Sequence, residues 1–103
     1  MRLFGLAEAN SHVPLLLETF ARVRALDDDD AIGRELMALE ALGIEVKAAD
    51  GLVDFRSLRN GEVVYLCWKF PETEVTHWHR LEAGFAGRKK ISAGDGFVAS
   101  WAN

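Results

Sequence analysis

The spacing of hydrophobic residues changes once along this chain, at Gly43. Before it, apolar residues recur every three or four positions, which is the period of an α-helix. After it, apolar and polar residues alternate, which is the period of a β-strand. We therefore predict an α+β fold in which helices and strands form separate layers. The chain of 103 residues is expected to be a single domain, with a helical part (6–43), a sheet part (44–91) and a tail (92–103).

The helical part is predicted to be an antiparallel helical hairpin. Pro14 lies within the first apolar stripe, so the helix either bends there or begins anew with Pro14 in its first turn. The acidic run Asp27–Asp30 supplies capping residues for a second helix, and Gly43 stands where a left-handed C-terminal cap is common. The first stripe comprises Leu6, Ala9, Val13, Leu16, Phe20 and Val23.

The sheet part is predicted to be a small antiparallel β-meander packed against the helical hairpin. The dipeptide Asn60-Gly61 is typical of a tight hairpin turn. Pro71 ends the strand before it, and a short edge strand is expected after Arg88. The segments with strand composition are 44–48, 51–55, 62–70 and 74–81.

Composition and charge exclude several classes of function. The net charge of −4 argues against a general nucleic-acid binder, since phosphate neutralisation by basic residues supplies most non-specific affinity. No apolar run approaches the roughly 18 residues that span a bilayer, and no signal-peptide pattern is present. The single cysteine, Cys67, cannot form an intrachain disulfide. We expect a cytoplasmic protein with neither nucleic acid nor membrane as a partner.

The candidate site lies in HWHRLEAGFAGRKKI, which begins at His77. His77 and His79 are two residues apart and share one face of a strand. Imidazoles at this spacing can bind a divalent metal such as zinc, with Glu82 as a third ligand. Regular strand geometry would point Glu82 to the opposite face, so a turn near Ala83 is required. The alternative is that the histidine pair is structural.

The turn GFAG and the basic residues after it suggest a second chemistry. Gly84 and Gly87 can expose backbone N–H groups, and Arg88 supplies a guanidinium suited to phosphate or carboxylate. The alternative is that both glycines only supply positive φ for a tight turn. Cys67, at a strand centre, is interpreted as a buried hydrophobe, and catalysis with a histidine of the next strand is the alternative.

Three pieces of the sequence together resemble a known family. They are FGLAEANSHVPLL, ALGIEVKAADGLVDFRSLRNGEVVYLCWKF and HWHRLEAGFAGRKKI. In this order, over about residues 3–91, they are similar to the small bacterial and archaeal proteins grouped as domain of unknown function 2203. The family has no established activity, so the resemblance implies a fold and a cellular setting but no reaction. The positions that carry it include Trp68, Trp78, His79, Glu82, Gly84, Gly87 and Arg88.

The resemblance shifts the site hypothesis away from His77, where relatives more often have an aromatic residue. It points to His79, Glu82 and Arg88 as the set to test. Our hypothesis is that these three side chains converge on a small anion or a metal–anion pair at the end of the sheet, with the Gly84–Gly87 backbone donating. We expect such a ligand-binding site in a homodimer formed through the helical hairpins. Two alternatives stay open. One is a structural or interaction module in which Arg88 pairs with Glu82 to hold the turn, and the other is a metal-dependent enzyme of unknown reaction.

Overall fold

The computed structural model describes residues 1–100. Three α-helices precede a six-stranded antiparallel sheet, which confirms the predicted α+β class with its helices at the N-terminus. Strands β1 to β5 are neighbours in chain order, and β6 pairs with the remaining length of one edge of β2. The elements are α1 Leu6–Ser11, α2 Val13–Val23, α3 Asp29–Glu40, β1 Glu45–Ala48, β2 Leu52–Arg59, β3 Glu62–Lys69, β4 His77–Arg80, β5 Lys89–Lys90 and β6 Phe97–Val98.

The helix boundaries follow from local chemistry. The chain restarts a helix at Pro14, which lies in the first turn of α2, where the missing proline N–H costs no hydrogen bond. Asp28 caps α3 by accepting a hydrogen bond from the Asp30 N–H at 3.0 Å. Gly43 has φ +87° and lies so close to Arg2 that a Cβ would come within 2.9 Å of that side chain. The transition from helix to strand at Gly43 therefore requires glycine.

The register of the central hairpin is set by its turn. Asn60 and Gly61 both have positive φ, as a type I′ turn requires. Pairing runs without interruption from Arg59 opposite Glu62 to Leu52 opposite Lys69. The predicted edge strand is confirmed as β5, and the tail, for which no structure was predicted, supplies β6.

One face of the sheet packs against the helices and forms the hydrophobic core. Trp68, near the C-terminal end of β3, is fully buried and lies 5.9 Å from the ring of Phe20 in α2. The other buried strand residues of this core are Val53, Phe55, Val64, Leu66, Trp78 and Phe97. Within residues 1–100, no helix is long and apolar enough to cross a membrane.

Candidate functional site

The opposite face of the sheet carries a buried polar cluster. Asp54, Cys67 and His79 are 4%, 0% and 3% exposed. Each offers one ligand atom, and these three atoms lie within 4.8 Å of one another. The strand pairing brings them together, because Cys67 is directly opposite Asp54 on one side and His79 lies on the next strand on the other. The cluster lies at mid-strand, whereas the sequence predicted a site at the sheet end.

The ring of His79 is oriented by its own strand. Its Nδ1 lies 2.8 Å from the backbone carbonyl of Arg80. A carbonyl oxygen only accepts hydrogen bonds, so Nδ1 must carry a proton and donate it. In the neutral imidazole the lone pair is then on Nε2, which points into the cluster. This is the arrangement by which proteins fix a histidine that binds a metal through Nε2.

The contact between His79 and Asp54 requires a positive charge between them. Nε2 lies 3.2 Å from both carboxylate oxygens of Asp54. A lone pair facing an ionised carboxylate would be two acceptors in contact, so either a proton or a metal ion must lie between them. Burial raises the pKa of Asp54, which is consistent with a shared proton when no metal is bound.

Cys67 completes the cluster as a protonated thiol. Burial, reinforced by the charge of Asp54, raises the pKa of Cys67 to about 12. A thiol of this pKa is not a nucleophile at neutral pH, because the thiolate is the reactive species. The structure therefore gives no support to Cys–His catalysis. A bound cation would instead provide the charge that a thiolate needs in this environment.

A small cavity adjoins the cluster beneath the GFAG turn. It has a volume of about 220 Å³, and Asp54 and His79 form part of its wall. Phe85, from the turn, and Tyr65, whose ring lies 5.4 Å from that of His79, contribute aromatic surface. The other lining residues are Lys47, Leu52, Leu81 and Gly84.

Glu45 organises the polar rim around this cavity. It accepts a hydrogen bond from the Tyr65 hydroxyl at 2.7 Å and forms ion pairs with Lys47, at 3.0 Å, and with Arg56. Although burial opposes it, hydrogen bonds from Arg56, Tyr65 and Lys47 lower the pKa of Glu45. The rim is therefore a charged network whose members are already paired with one another.

Arg88 does not pair with Glu82, as the structural alternative expected, but with Glu72. Its two terminal nitrogens contact the Glu72 carboxylate at 2.8 and 3.3 Å, and one lies 4.0 Å from the sulfur of Cys67. Glu72 lies in the connection between β3 and β4, so the pair ties that connection to the end of the GFAG turn. With its guanidinium occupied in this way, Arg88 closes one side of the cluster.

The other predicted site residues are not part of the cluster. Glu82 is exposed and forms no hydrogen bond or ion pair among residues 1–100. His77 lies opposite Cys67 and shares its face, but its Nδ1 contacts the Thr76 hydroxyl at 2.9 Å. Burial, together with the nearby Arg88, lowers the pKa of His77.

The two glycines of the turn have different roles. Gly84 has φ +67°, the left-handed conformation expected of a turn glycine. Gly87 is required for a different reason, since a Cβ there would lie 2.8 Å from the Cβ of Ala83. The N–H groups of Gly87 and Arg88 donate to Gly84 and Phe85 within the turn, so they are not available to an anion.

Asp54 is the residue that the sequence reading missed. Aspartate is depleted in strands, so its place between Val53 and Phe55, in the middle of a strand, was a usable signal. Counting outward from the Asn60-Gly61 turn also places Asp54 opposite Cys67. The partnership with His79, 25 residues away, has no comparable local signal.

Comparison with known proteins identifies one family and no individual relative. The family described as "Uncharacterized conserved protein (DUF2203)" matches residues 27–91. This span includes Asp54, Cys67, His79 and the GFAG turn, whereas α1 and α2 precede it. Neither the curated proteins nor the solved structures include a match to this chain.

Proposed function

We propose a function from the site itself, because the chain belongs to the family of uncharacterised conserved proteins described as DUF2203, to which no activity is assigned. The proposed function is to bind a divalent transition metal, zinc in the first instance, through Asp54, Cys67 and His79. The observation that carries the proposal is the 3.2 Å separation between His79 Nε2 and both oxygens of Asp54. Ionised N–H···O pairs are usually about 2.7–2.9 Å long. Ligands of a tetrahedral zinc, each about 2.0–2.3 Å from the metal, lie roughly 3.3–3.8 Å apart. The observed spacing is closer to the second value.

The chemistry of the three donors also supports a metal of the zinc class. Imidazole, thiolate and carboxylate together suit zinc, whereas calcium and magnesium prefer oxygen ligands alone. The thiol of Cys67, with a pKa of about 12, must lose its proton on binding. Metal affinity should therefore rise with pH by about tenfold per unit for this proton. In a reducing cytoplasm, which we propose as the compartment, an unpaired thiol of this kind stays reduced.

Three protein ligands would leave one coordination position unfilled. Zinc sites that keep such a position are commonly catalytic, whereas structural sites have four protein ligands. The adjoining cavity of about 220 Å³ gives the fourth ligand a place to sit. A metal-dependent enzyme acting on a small molecule is accordingly the second candidate, and Lys47 in the cavity wall would favour an anionic substrate.

Self-association remains part of the proposal. The helices carry two large apolar side chains on their outer surface, Leu15 at 38% and Met37 at 70% exposure. A homodimer paired through these helices would cover them. Native mass spectrometry of the wild type and of Met37→Lys reports the state directly, and we expect a dimer that the substitution weakens.

The metal is tested by elemental analysis of untagged protein purified without chelator, followed by zinc titration of the stripped protein. We expect one metal ion per chain in the wild type. Cys67→Ser, Asp54→Asn and His79→Asn should each lower the affinity by at least tenfold, since each removes or weakens one ligand.

His77→Asn is the matched control, because His77 lies on the same strand and face as His79 but outside the cluster. It should bind zinc as the wild type does. Equal loss in His77→Asn and His79→Asn would favour the histidine pair predicted from sequence. A wild type without measurable zinc affinity would leave Asp54 and His79 as a structural pair that shares a proton.

A further inference from the structure

A second pocket lies on the helix-facing side of the sheet, near the edge formed by β5. Its floor is Trp78, which is 3% exposed, and its walls come from the ends of β2, β4 and β5. Trp78 and His79 are neighbours on one strand and point to opposite faces, so this pocket is separate from the metal cluster. Its volume is about 240 Å³, and it is lined by Arg59, Trp78, Arg80, Lys89, Lys90, Ser92 and Asp95.

Three positive groups surround the ring of Trp78. The guanidinium carbons of Arg59 and Arg80 lie 4.2 and 5.5 Å from the ring centroid, and the ammonium of Lys89 lies at 5.6 Å. The negative face of an aromatic ring stabilises one such cation, but three in one small pocket repel each other. A bound anion would relieve this repulsion, so the arrangement favours one.

The acidic residues nearby compensate only part of this charge. Asp95 pairs with Arg59 at 3.1 Å, and Glu62 pairs with Arg80 at 3.4 Å on the solvent side. Among residues 1–100, Lys89 and Lys90 have no ion-pair partner, and the buried Nε of Arg59 has no hydrogen-bond partner. The pocket therefore holds excess positive charge.

We propose that this pocket binds a compact oxyanion, namely inorganic phosphate or the phosphate group of a small phosphomonoester. Guanidinium groups bind phosphate through paired N–H donors and lysine contributes a point charge, so Arg59, Arg80 and Lys89 suit its several oxygens. The ring of Trp78 is buried, so a nucleobase has no free aromatic face on which to stack. The net charge of −4 also disfavours a long polyanion.

The site explains two residues of the basic triplet, Arg88 and Lys89, which have different roles. Arg88 pairs with Glu72 on the metal-cluster side. Lys89 lies opposite Trp78 in the sheet register and points to the second pocket. If the turn were only a connection between strands, nothing would require Lys89 to lie beside Trp78, whose ring already has Arg59 and Arg80 close to it.

The test is isothermal titration calorimetry of the metal-stripped full chain with inorganic phosphate at low ionic strength. Lys89→Gln and Arg80→Gln should each weaken binding by roughly tenfold, because each removes one charged contact. Both residues lie at the edge of the sheet with exposed side chains, so both variants should fold as the wild type does. Lys47→Gln is the comparison variant, because it removes the same charge from the other cavity. We expect it to bind phosphate as the wild type does, since the metal that would bring an anion to that cavity has been removed.

Four outcomes decide the proposal. Binding that Lys89→Gln and Arg80→Gln weaken, and Lys47→Gln does not, supports it. Equal weakening by all three variants would show that general charge attracts phosphate, and weakening by Lys47→Gln alone would move the anion to the other cavity. Either result overturns the proposal. Absence of phosphate binding, or binding of a short single-stranded oligonucleotide in its place, overturns it as well.

Discussion

Both faces of strand β3 carry buried side chains, but the two faces have opposite chemistry. On the helix side, Leu66 and Trp68 are fully buried among apolar groups, whereas on the other side Cys67 and Tyr65, 0% and 6% exposed, lie among polar and charged side chains. Burying apolar groups stabilises the fold directly, but burying a carboxylate, an imidazole and a thiol costs free energy unless each finds a partner. The helix face can be understood from stability alone. The polar face is the one for which we propose a ligand.

The largest expected loss of stability comes from a substitution on the helix face. Trp68→Ala should lower the free energy of unfolding by about 3–5 kcal/mol, because it removes the largest buried side chain and leaves a cavity. It also removes the hydrogen bond of 2.8 Å from the indole N–H to the carbonyl of Glu72. Urea denaturation followed by circular dichroism measures the change. A loss below about 1 kcal/mol would show that this face is not the main source of stability.

The next effect concerns the polar face in the metal-free protein. Asp54→Ala should cost about 1–3 kcal/mol, since it leaves the buried Nε2 of His79 without a partner. In the double variant Asp54→Ala/His79→Phe both partners are gone, so its cost should be smaller than the sum of the two single costs. Urea denaturation of all four proteins completes the cycle, and additive costs would contradict a coupled pair.

A smaller effect is expected at the turn that covers the cluster. Arg88→Gln should cost about 1–2 kcal/mol, because the partly buried, two-bonded ion pair with Glu72 is lost. Glu82→Gln, two residues before the GFAG turn and without a partner among residues 1–100, should stay within about 0.5 kcal/mol of the wild type. Thermal denaturation compares the two, and a reversed order would restore Glu82 as the functional acid.

The smallest expected effect is a loss of stability at alkaline pH that arises from the polar face. Burial raises the pKa of Cys67 from 9.0 to about 12, so its contribution to stability is complete below pH 9 and is lost as the pH rises toward 12. At pH 10 the loss should be about 1 kcal/mol in the metal-free wild type. Cys67→Ala should lack this component of the alkaline decline, while Tyr65 and Lys47 contribute equally to both proteins. Parallel pH profiles would contradict a buried thiol in this environment.

The sequence predicted the helix face and the order of elements better than the polar face. The change of period at Gly43 and the turn at Asn60-Gly61 are local signals, and the structure confirms both. At Pro14 the sequence left a bend and a restart open, and the structure shows the restart. The two-residue turn even determines the β2–β3 register, which pairs Asp54 with Cys67.

The rest depended on contacts that no local pattern encodes. The connection between β3 and β4 is longer and irregular, so the position of His79 opposite Tyr65 could not be counted from it. For the same reason Glu72, within that connection, could not be recognised as the partner of Arg88. His79, Gly84 and Arg88 are close together in the sequence, but the acids that contact His79 and Arg88, Asp54 and Glu72, come from other parts of the chain.

Cobalt titration of the metal-stripped protein tests the proposed Asp54–Cys67–His79 metal site most directly. The absorption spectrum of bound Co²⁺ reports both the geometry of the site and the presence of a sulfur ligand. We predict one Co²⁺ per chain, tetrahedral d–d bands and a thiolate-to-cobalt charge-transfer band that Cys67→Ser abolishes and His77→Asn retains. Spectra that match free aqueous cobalt, or a charge-transfer band unaffected by Cys67→Ser, would contradict the Asp54–Cys67–His79 site.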